Sequence, residues 1–265
     1  MLLALNAGTA EIRLGCLERG EVLCAASLET RATRTADEYA VLLERMLALH
    51  GVDAGSFEGA ALASVVPPLT ATLAAAAELV TGCRALVVGA GVKTGLNIGI
   101  DDPSQLGADL VAAAVGALER HDPPAIVVDV GTATTFSVLG ADGRLLGGCI
   151  MPGPVLAADA LSAAASLLPR VPFEAPRKCV GTNTADCMRS GAVFGAAAAI
   201  DGMVSRIERE LGVRAALIAT GAHAARVIPH CERAFELDGH AALRGLALIW
   251  ERNRRQRRQL RGRYI

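Results

Sequence analysis

A chain of 265 residues that is 52% hydrophobic but only 3% aromatic can bury one large or two ordinary cores, packed from Ala, Leu and Val. Its formal net charge of −1 argues against nucleic acid as the main partner, and no apolar run reaches the ~18 residues of a membrane span. Seven cysteines lack a CxxC pair and most of them read as buried thiols, and the N-terminal MLLALNAG lacks a basic leader, so a cytoplasmic protein is expected.

In chain order, 2–5, 11–16 and 21–26 read as three strands. Tyr39, Leu42, Leu43, Met46 and Leu47 give helical spacing over 35–50, which stops at Gly51. A strand at 59–65, an Ala-rich helix at 69–80 and a strand at 85–88 follow, the alternation of an α/β layer. The segment Gly89 to Gly95 imitates a nucleotide loop, but Val92 stands where a Walker loop needs glycine, and Asn97, Gly99 and Pro103 prevent a following helix. A helix over 105–118, entered through Gly107-Ala108-Asp109, ends a first domain placed at 1–119.

The second domain, 120–265, opens on IVVDVGTATTFSVLGADGRLLGGCI. Strands at 126–128 and 136–139 flank Gly131-Thr132-Ala133-Thr134-Thr135, and a third strand closes at Ile150 after the Asp142-Gly143 turn. Helices are expected at 156–166 and 183–211, a strand at 215–219, a turn at Thr220-Gly221-Ala222, a short helix ending at 226–228 and a last helix at 241–252. Beyond it, Arg252, Arg254, Arg255, Arg257, Arg258, Arg261 and Arg263 read as a solvated helix end.

The chemistry lies in the turn at Gly131. A glycine lets the backbone approach a ligand, and neighbouring N–H groups and hydroxyls can then converge on phosphate oxygens. Asp129 at the strand end can hold a cation that offsets the phosphate charge. The alternative is a plain hairpin whose threonines serve β-propensity. The pattern occurs twice: Asn6-Ala7-Gly8-Thr9-Ala10 aligns with Asp129-Val130-Gly131-Thr132-Ala133, and the same spacing carries Gly20 onto Gly143. Two related domains closing on one ligand are expected.

These residues are similar to those of the type III pantothenate kinases, in the superfamily of acetate and sugar kinases and actin. Ser64-Val65-Val66-Pro67-Pro68, Gly91-Val92-Lys93-Thr94-Gly95, Gly107-Ala108-Asp109 and Asp129 through Thr135 follow the family's order. So do Gly147-Gly148, Pro152-Gly153, Leu168-Pro169-Arg170-Val171, Gly181, Asn183-Thr184, Met188 and Ser190-Gly191. The resemblance implies an α/β fold of two duplicated ribonuclease-H-like, actin-like domains with a nucleotide cleft between them. It implies ATP-dependent phosphorylation of pantothenate, the first step of coenzyme A synthesis. Asp109 would then be the general base. Asn6, Gly8, Thr9, Gly131, Thr132, Thr134 and Thr135 would contact ATP, with Mg2+ near its phosphates. Asp129 would bind a monovalent cation, K+ or NH4+. Ile100, Gly107, Ala108, Leu110 and Thr184 would form the substrate site, Thr184 across a dimer interface.

The sequence departs from the family at the chemistry. Asn6 replaces the aspartate of the first hairpin, Ala10 a threonine, Leu110 the arginine that pairs with the pantothenate carboxylate, and Ile100 a tyrosine. A hydrogen bond to a charged group contributes roughly 1.5–3 kcal/mol, so Asn6 and Leu110 together bear on about two to four powers of ten in rate or affinity. Three functions stay open: a pantothenate kinase or a kinase for a related alcohol lacking a carboxylate, a subunit or regulator completing an intact paralogue in a heterodimer, and a scaffold.

Overall fold

Leu2–Ala7 (β1), Glu11–Glu18 (β2) and Glu21–Glu29 (β3) form an antiparallel meander in the structure, a computed structural model that describes residues 1–261. Arg19 and Gly20 sit at φ 52° and 88° between β2 and β3, as a tight two-residue hairpin turn requires. Ala36–Leu49 (α1) starts at a capping box. Glu38 N donates to Thr35 Oγ1, and Thr35 N donates to Glu38 Oε2 at 2.7 Å. Gly59–Ser64 (β4), Pro67–Thr81 (α2) and Ala85–Val87 (β5) follow, and the strands join β1 in parallel to give the order β3-β2-β1-β4-β5. Parallel neighbours need crossovers, which α1 and α2 supply. Leu3, Leu5, Ala7, Ile12 and Leu14 face these helices and bury against Tyr39, Leu43, Leu47, Leu69 and Leu73. Strand alternation turns Asn6 and Arg13 to the other face. Ala108–Ala117 (α3) follows an irregular stretch.

The second meander is Ala125–Val130 (β6), Ala133–Leu139 (β7) and Leu145–Pro152 (β8), followed by Pro154–Ala164 (α4). The single helix expected over 183–211 is instead Thr184–Ser190 (α5), a π-helical turn at Gly191–Gly195, and Ala196–Leu211 (α6). Glycines at both ends of that turn, with no side chain to lock the backbone, allow the wider winding. Ala216–Thr220 (β9), Ala224–Val227 (α7) and the two-residue strand Glu236–Leu237 (β10) complete a sheet of order β10-β9-β6-β7-β8. Each sheet has the same plan. A central strand (β1, β6) pairs antiparallel with the next strand of its meander and parallel with a later one. Ile126, Val128, Val130, Phe136 and Val138 bury against Ile200, Val204 and Ile207 of α6.

Contacts divide the chain into two units, one of Met1–Asn97, Asp101–Arg120 and His240 onward, the other of Ile98–Ile100 and His121–Gly239. Two segments are grouped apart from their neighbours in sequence. Ile98–Ile100 joins the second unit because Gly99 N donates to Leu145 O at 2.7 Å. The last helix, Ala241–Arg261 (α8), joins the first because it touches α3 backbone to backbone. A Cβ on Gly245 would collide with the Ala112 carbonyl, and one on Gly116 with the Ala241 carbonyl.

The first arginines of the basic run are engaged within this unit. Arg252 donates to the Thr94 carbonyl, while Arg254 pairs with Glu58 at 2.6 Å and lies 4.8 Å over the Trp250 ring. Asn253 bonds both main-chain groups of Lys93, so the loop that imitates a nucleotide motif docks on α8. Arg257, Arg258, Arg261 and Arg263 lie outside the residues whose side chains are described. Among the described residues no helix is long and apolar enough to cross a membrane.

Candidate active site

In the second unit, the β6–β7 register sets Asp129 opposite Thr135 and Val130 opposite Thr134. Direct cross-strand partners share a face of the sheet. Val130 and Phe136 belong to the core, so Thr134, 1% exposed, turns inward with them. Of the threonines expected at ATP, this is the one the structure gives to the core. Thr135 shares the face of Asp129, and its Oγ1 is buried with no hydrogen-bond partner among the described residues. The turn is held by Gly131 N donating to Ala133 O and Gly153 N donating to Thr132 O, both at 2.9 Å.

Gly221, which follows β9, was expected only as a turn residue. It has φ +98°, and a Cβ there would run into Asp129 Oδ1 and the Val130 backbone. A Cβ on Gly131 would approach the same oxygen to 3.3 Å. The half-buried Asp129 carboxylate therefore sits in a recess walled by two glycines, which suits a small cation. The sequence signal for Gly221 was a glycine directly after a buried strand parallel to the one bearing Asp129.

In the first unit, Asn6 stands opposite Arg13 and Ala7 opposite Ile12. Gly8 N donates to Glu11 O at 2.9 Å, and Thr30 at the end of β3 clamps the turn. Its Oγ1 donates to Gly8 O at 2.8 Å and its N to Ala10 O at 3.0 Å. Thr9 at the tip is exposed. Asn6 Oδ1 is buried and accepts no hydrogen bond from the described residues. A carboxamide here cannot supply the negative oxygen with which proteins hold Mg2+, and no group of three His, Cys, Asp or Glu able to hold a metal occurs among the described residues. The expected Mg2+ thus finds no carboxylate at the end of β1, where Asn6 stands.

Asp109 lies in the first turn of α3, after the cap residue Gly107. Its Oδ1 accepts from Leu110 N at 2.8 Å and folds back over Gly107, where a Cβ would strike it and would lie 3.3 Å from Val65 Cγ1. Val65 N in turn donates to Ala7 O at 3.0 Å, so the loop after β4 links the helix start to the first hairpin. Burial pushes the Asp109 carboxyl above its ordinary value, against the smaller opposing pull of backbone N–H groups. A half-buried carboxylate of raised pKa at a helix start is suited to accept a proton. Ala108 and Leu110 are half-buried beside it.

The remaining expected residues lie in the second unit. Ile100 is half-buried in the short segment that pairs with the start of β8. Thr184 is the exposed first residue of α5, whose cap is Asn183 Oδ1 accepting from Asp186 N at 2.9 Å. It borders an apolar hollow of about 470 Å3 lined by Ala158, Leu161, Leu168 and Met188.

The model of the family described as type III pantothenate kinase matches residues 2–206. The type III pantothenate kinase of Anaeromyxobacter sp. (strain Fw109-5) is 41% identical over 254 residues, covering 96% of this chain and 100% of its own. That of Moorella thermoacetica is 39% identical over 253 residues, with the same coverage. Among solved structures, the activator of 2-hydroxyisocaproyl-CoA dehydratase from Clostridium difficile, with bound ADPNP, superposes with a TM-score of 0.55 at 12% identity. It covers 97% of each chain. At that identity the likeness shows the fold, two duplicated α/β domains of the ribonuclease-H-like kind.

Proposed function

Because the chain belongs to the type III pantothenate kinase family, we propose that it transfers the γ-phosphoryl group of ATP to the primary hydroxyl of pantothenate, opening coenzyme A synthesis. Such a transfer needs little covalent chemistry from the protein, which positions groups and neutralises charge. The observation that carries the reading is Asp109, a carboxylate made more basic by burial, fixed by one backbone bond at the start of α3. It accepts the proton of the pantothenate hydroxyl. Asn6, Gly8, Thr9, Gly131, Thr132 and Thr135 contact ATP. Asp129 holds K+ or NH4+, which when bound offsets phosphate charge. Gly107, Ala108, Leu110 and Ile100 bound the acceptor, and Thr184 reaches it from the second copy of a homodimer.

The test is ADP release coupled to a reporter, with pantothenate, Mg2+ and K+ present. Turnover is expected from the wild-type chain and at least about a hundredfold less from Asp109→Asn; equal turnover in both removes Asp109 from the mechanism.

The neutral side chains at Asn6 and Leu110 favour a second reading, a subunit that works beside an intact paralogue in a heterodimer. A chain silent alone with pantothenate and with its uncharged amides, but active when mixed with a paralogue bearing aspartate and arginine at these two positions, decides for it.

A further inference from the structure

We propose that Cys16 and Cys24 form a site of oxidative modification, at which a hydroperoxide converts the two thiols into a disulfide joining β2 to β3. Its chemistry is independent of phosphoryl transfer. Register sets Cys16 directly opposite Cys24 in the first meander. Among the described strands no other two cysteines are cross-strand partners. Direct partners point to one face of a sheet. Here it is the face packed with Tyr39, Leu43 and Leu47 of α1, where Cys16 belongs to the core and Cys24 packs against it. The Cα atoms of antiparallel partners lie about 4.5 or 5.5 Å apart, according to whether the pair exchanges hydrogen bonds. A disulfide spans Cα atoms about 4.4–6.8 Å apart, so at either spacing side-chain rotation alone closes the bond.

The two thiols differ in access, which sets their order of reaction. Cys16 is fully buried, whereas Cys24 is half-buried on β3, the edge strand of its sheet. Burial pushes the Cys16 thiol up, and the Cys24 thiol, hydrogen-bonded to it, pushes the same way. Cys16 therefore stays protonated, and the oxidant meets Cys24 first. The Cys24 sulfur attacks one peroxide oxygen and the O–O bond breaks. The thiol proton leaves with the other oxygen as water or an alcohol, and a sulfenic acid remains on Cys24. The Cys16 sulfur, already in contact, then attacks the Cys24 sulfur. The S–S bond forms as the S–O bond breaks, and the Cys16 proton leaves with the hydroxyl as water. Two electrons pass from the thiol pair to one peroxide, and a dithiol reductant reverses the change by exchange.

Peptide mass spectrometry of the native chain tests the site. Arg19 stands between the two cysteines, and Arg13 and Arg31 flank them, so trypsin places Cys16 in peptide 14–19 and Cys24 in peptide 20–31. The exposed Cys179 and Cys187 fall in a separate peptide, 179–189, and report general oxidation. The folded chain is treated with hydrogen peroxide, its remaining thiols are alkylated after unfolding, and it is digested without reductant. The expected main product of the pair is peptides 14–19 and 20–31 joined, two hydrogens lighter than their sum and separated again by dithiothreitol. Recovery of both peptides alkylated while 179–189 is oxidised overturns the proposal. So does sulfinic or sulfonic acid on Cys24 with Cys16 alkylated, or a link that forms only when peroxide is added in urea. The order of reaction has its own readout in single variants treated with peroxide and dimedone, which traps sulfenic acids. Cys16→Ser should give the dimedone adduct on Cys24, and Cys24→Ser should leave Cys16 unlabelled; the reverse pattern overturns the assigned order. Should either variant fail to fold, the wild-type peptides decide alone.

Discussion

The Asp109 carboxylate is held where its charge is unwelcome: burial raises its pKa, and the N–H groups that stabilise the anion recover only part of that cost. A raised acid weakens the fold when ionised. The penalty is absent below the ordinary value of 3.8 and grows as pH rises through the folded pKa. Asp109→Asn should therefore melt no lower than wild type at pH 7, while turnover falls about 10²–10⁴-fold, the usual contribution of a positioned base. A fall in melting temperature matching the loss of activity would make Asp109 a structural residue. The acid limb of kcat/KM should lie above the ordinary carboxylate range, because the base works only when deprotonated. One residue away, Leu110 offers nothing to a carboxylate. An ionic hydrogen bond contributes roughly 1.5–3 kcal/mol, so Leu110→Arg should lower KM for pantothenate about tenfold or more with little change in kcat. An unchanged KM places the carboxylate of the acceptor elsewhere.

Among the elements, α6 is tied down by a buried charge. Glu208 accepts two bonds from Arg233 at 2.8 Å, one from Arg214 at 2.9 Å and one from Ala215 N at 3.2 Å, which join the helix to the start of β9 and to the segment before β10. Arg233 does most to pull its pKa down to about 2 from 4.5. A depressed carboxylate stabilises the fold above pH 4.5, and this is lost as pH falls toward 2. With Arg214 largely exposed, the gain is about 1–3 kcal/mol at neutral pH. Glu208→Gln should lower the melting temperature by several degrees at pH 7 and by almost nothing near pH 2; a constant difference across that range would assign the effect to packing. Most elements were legible because local period and local stops define them: the apolar positions of α1, Gly51 just beyond it, the glycine turns after β1 and β6. The π turn at Gly191–Gly195 was not, since apolar spacing continues through it. Nor was the partner of α8, because Gly116 and Gly245 meet only in three dimensions. Gly245→Ala should destabilise by about 1–3 kcal/mol in chemical denaturation, as overpacking does. The inward turn of Thr134 was hidden for a related reason: its place in a hydroxyl-rich turn is visible in sequence, but the register that buries it is not.

The duplication was the largest feature open to sequence reading, because a glycine turn after a buried strand leaves the same local pattern in both halves, and both sheets follow one plan. What the chain does as an assembly has to be argued from its surface. Leu156 and Leu161 are each 48% exposed, Leu167 is 91% and Val180 80%. Together with the apolar hollow beside Thr184, which Leu161 lines, they give the second unit exposed apolar side chains with poor reason to face water. A twofold partner would cover such a surface, and a twofold interface presents the same patch from both copies. Leu161→Glu should then convert dimers to monomers in sedimentation velocity. If Thr184 serves the site of the other copy, two dead variants can rescue each other. Asp109→Asn retains Thr184, and Thr184→Tyr, which fills the hollow's edge, retains Asp109. Mixed in equal amounts and allowed to exchange, half the dimers carry one of each chain, and each of these has one complete site and one doubly broken site. Activity should return to about a quarter of wild type. No recovery, with exchange verified by a tagged chain, would mean that each copy builds its acceptor site alone, and Thr184 would drop out of the substrate site.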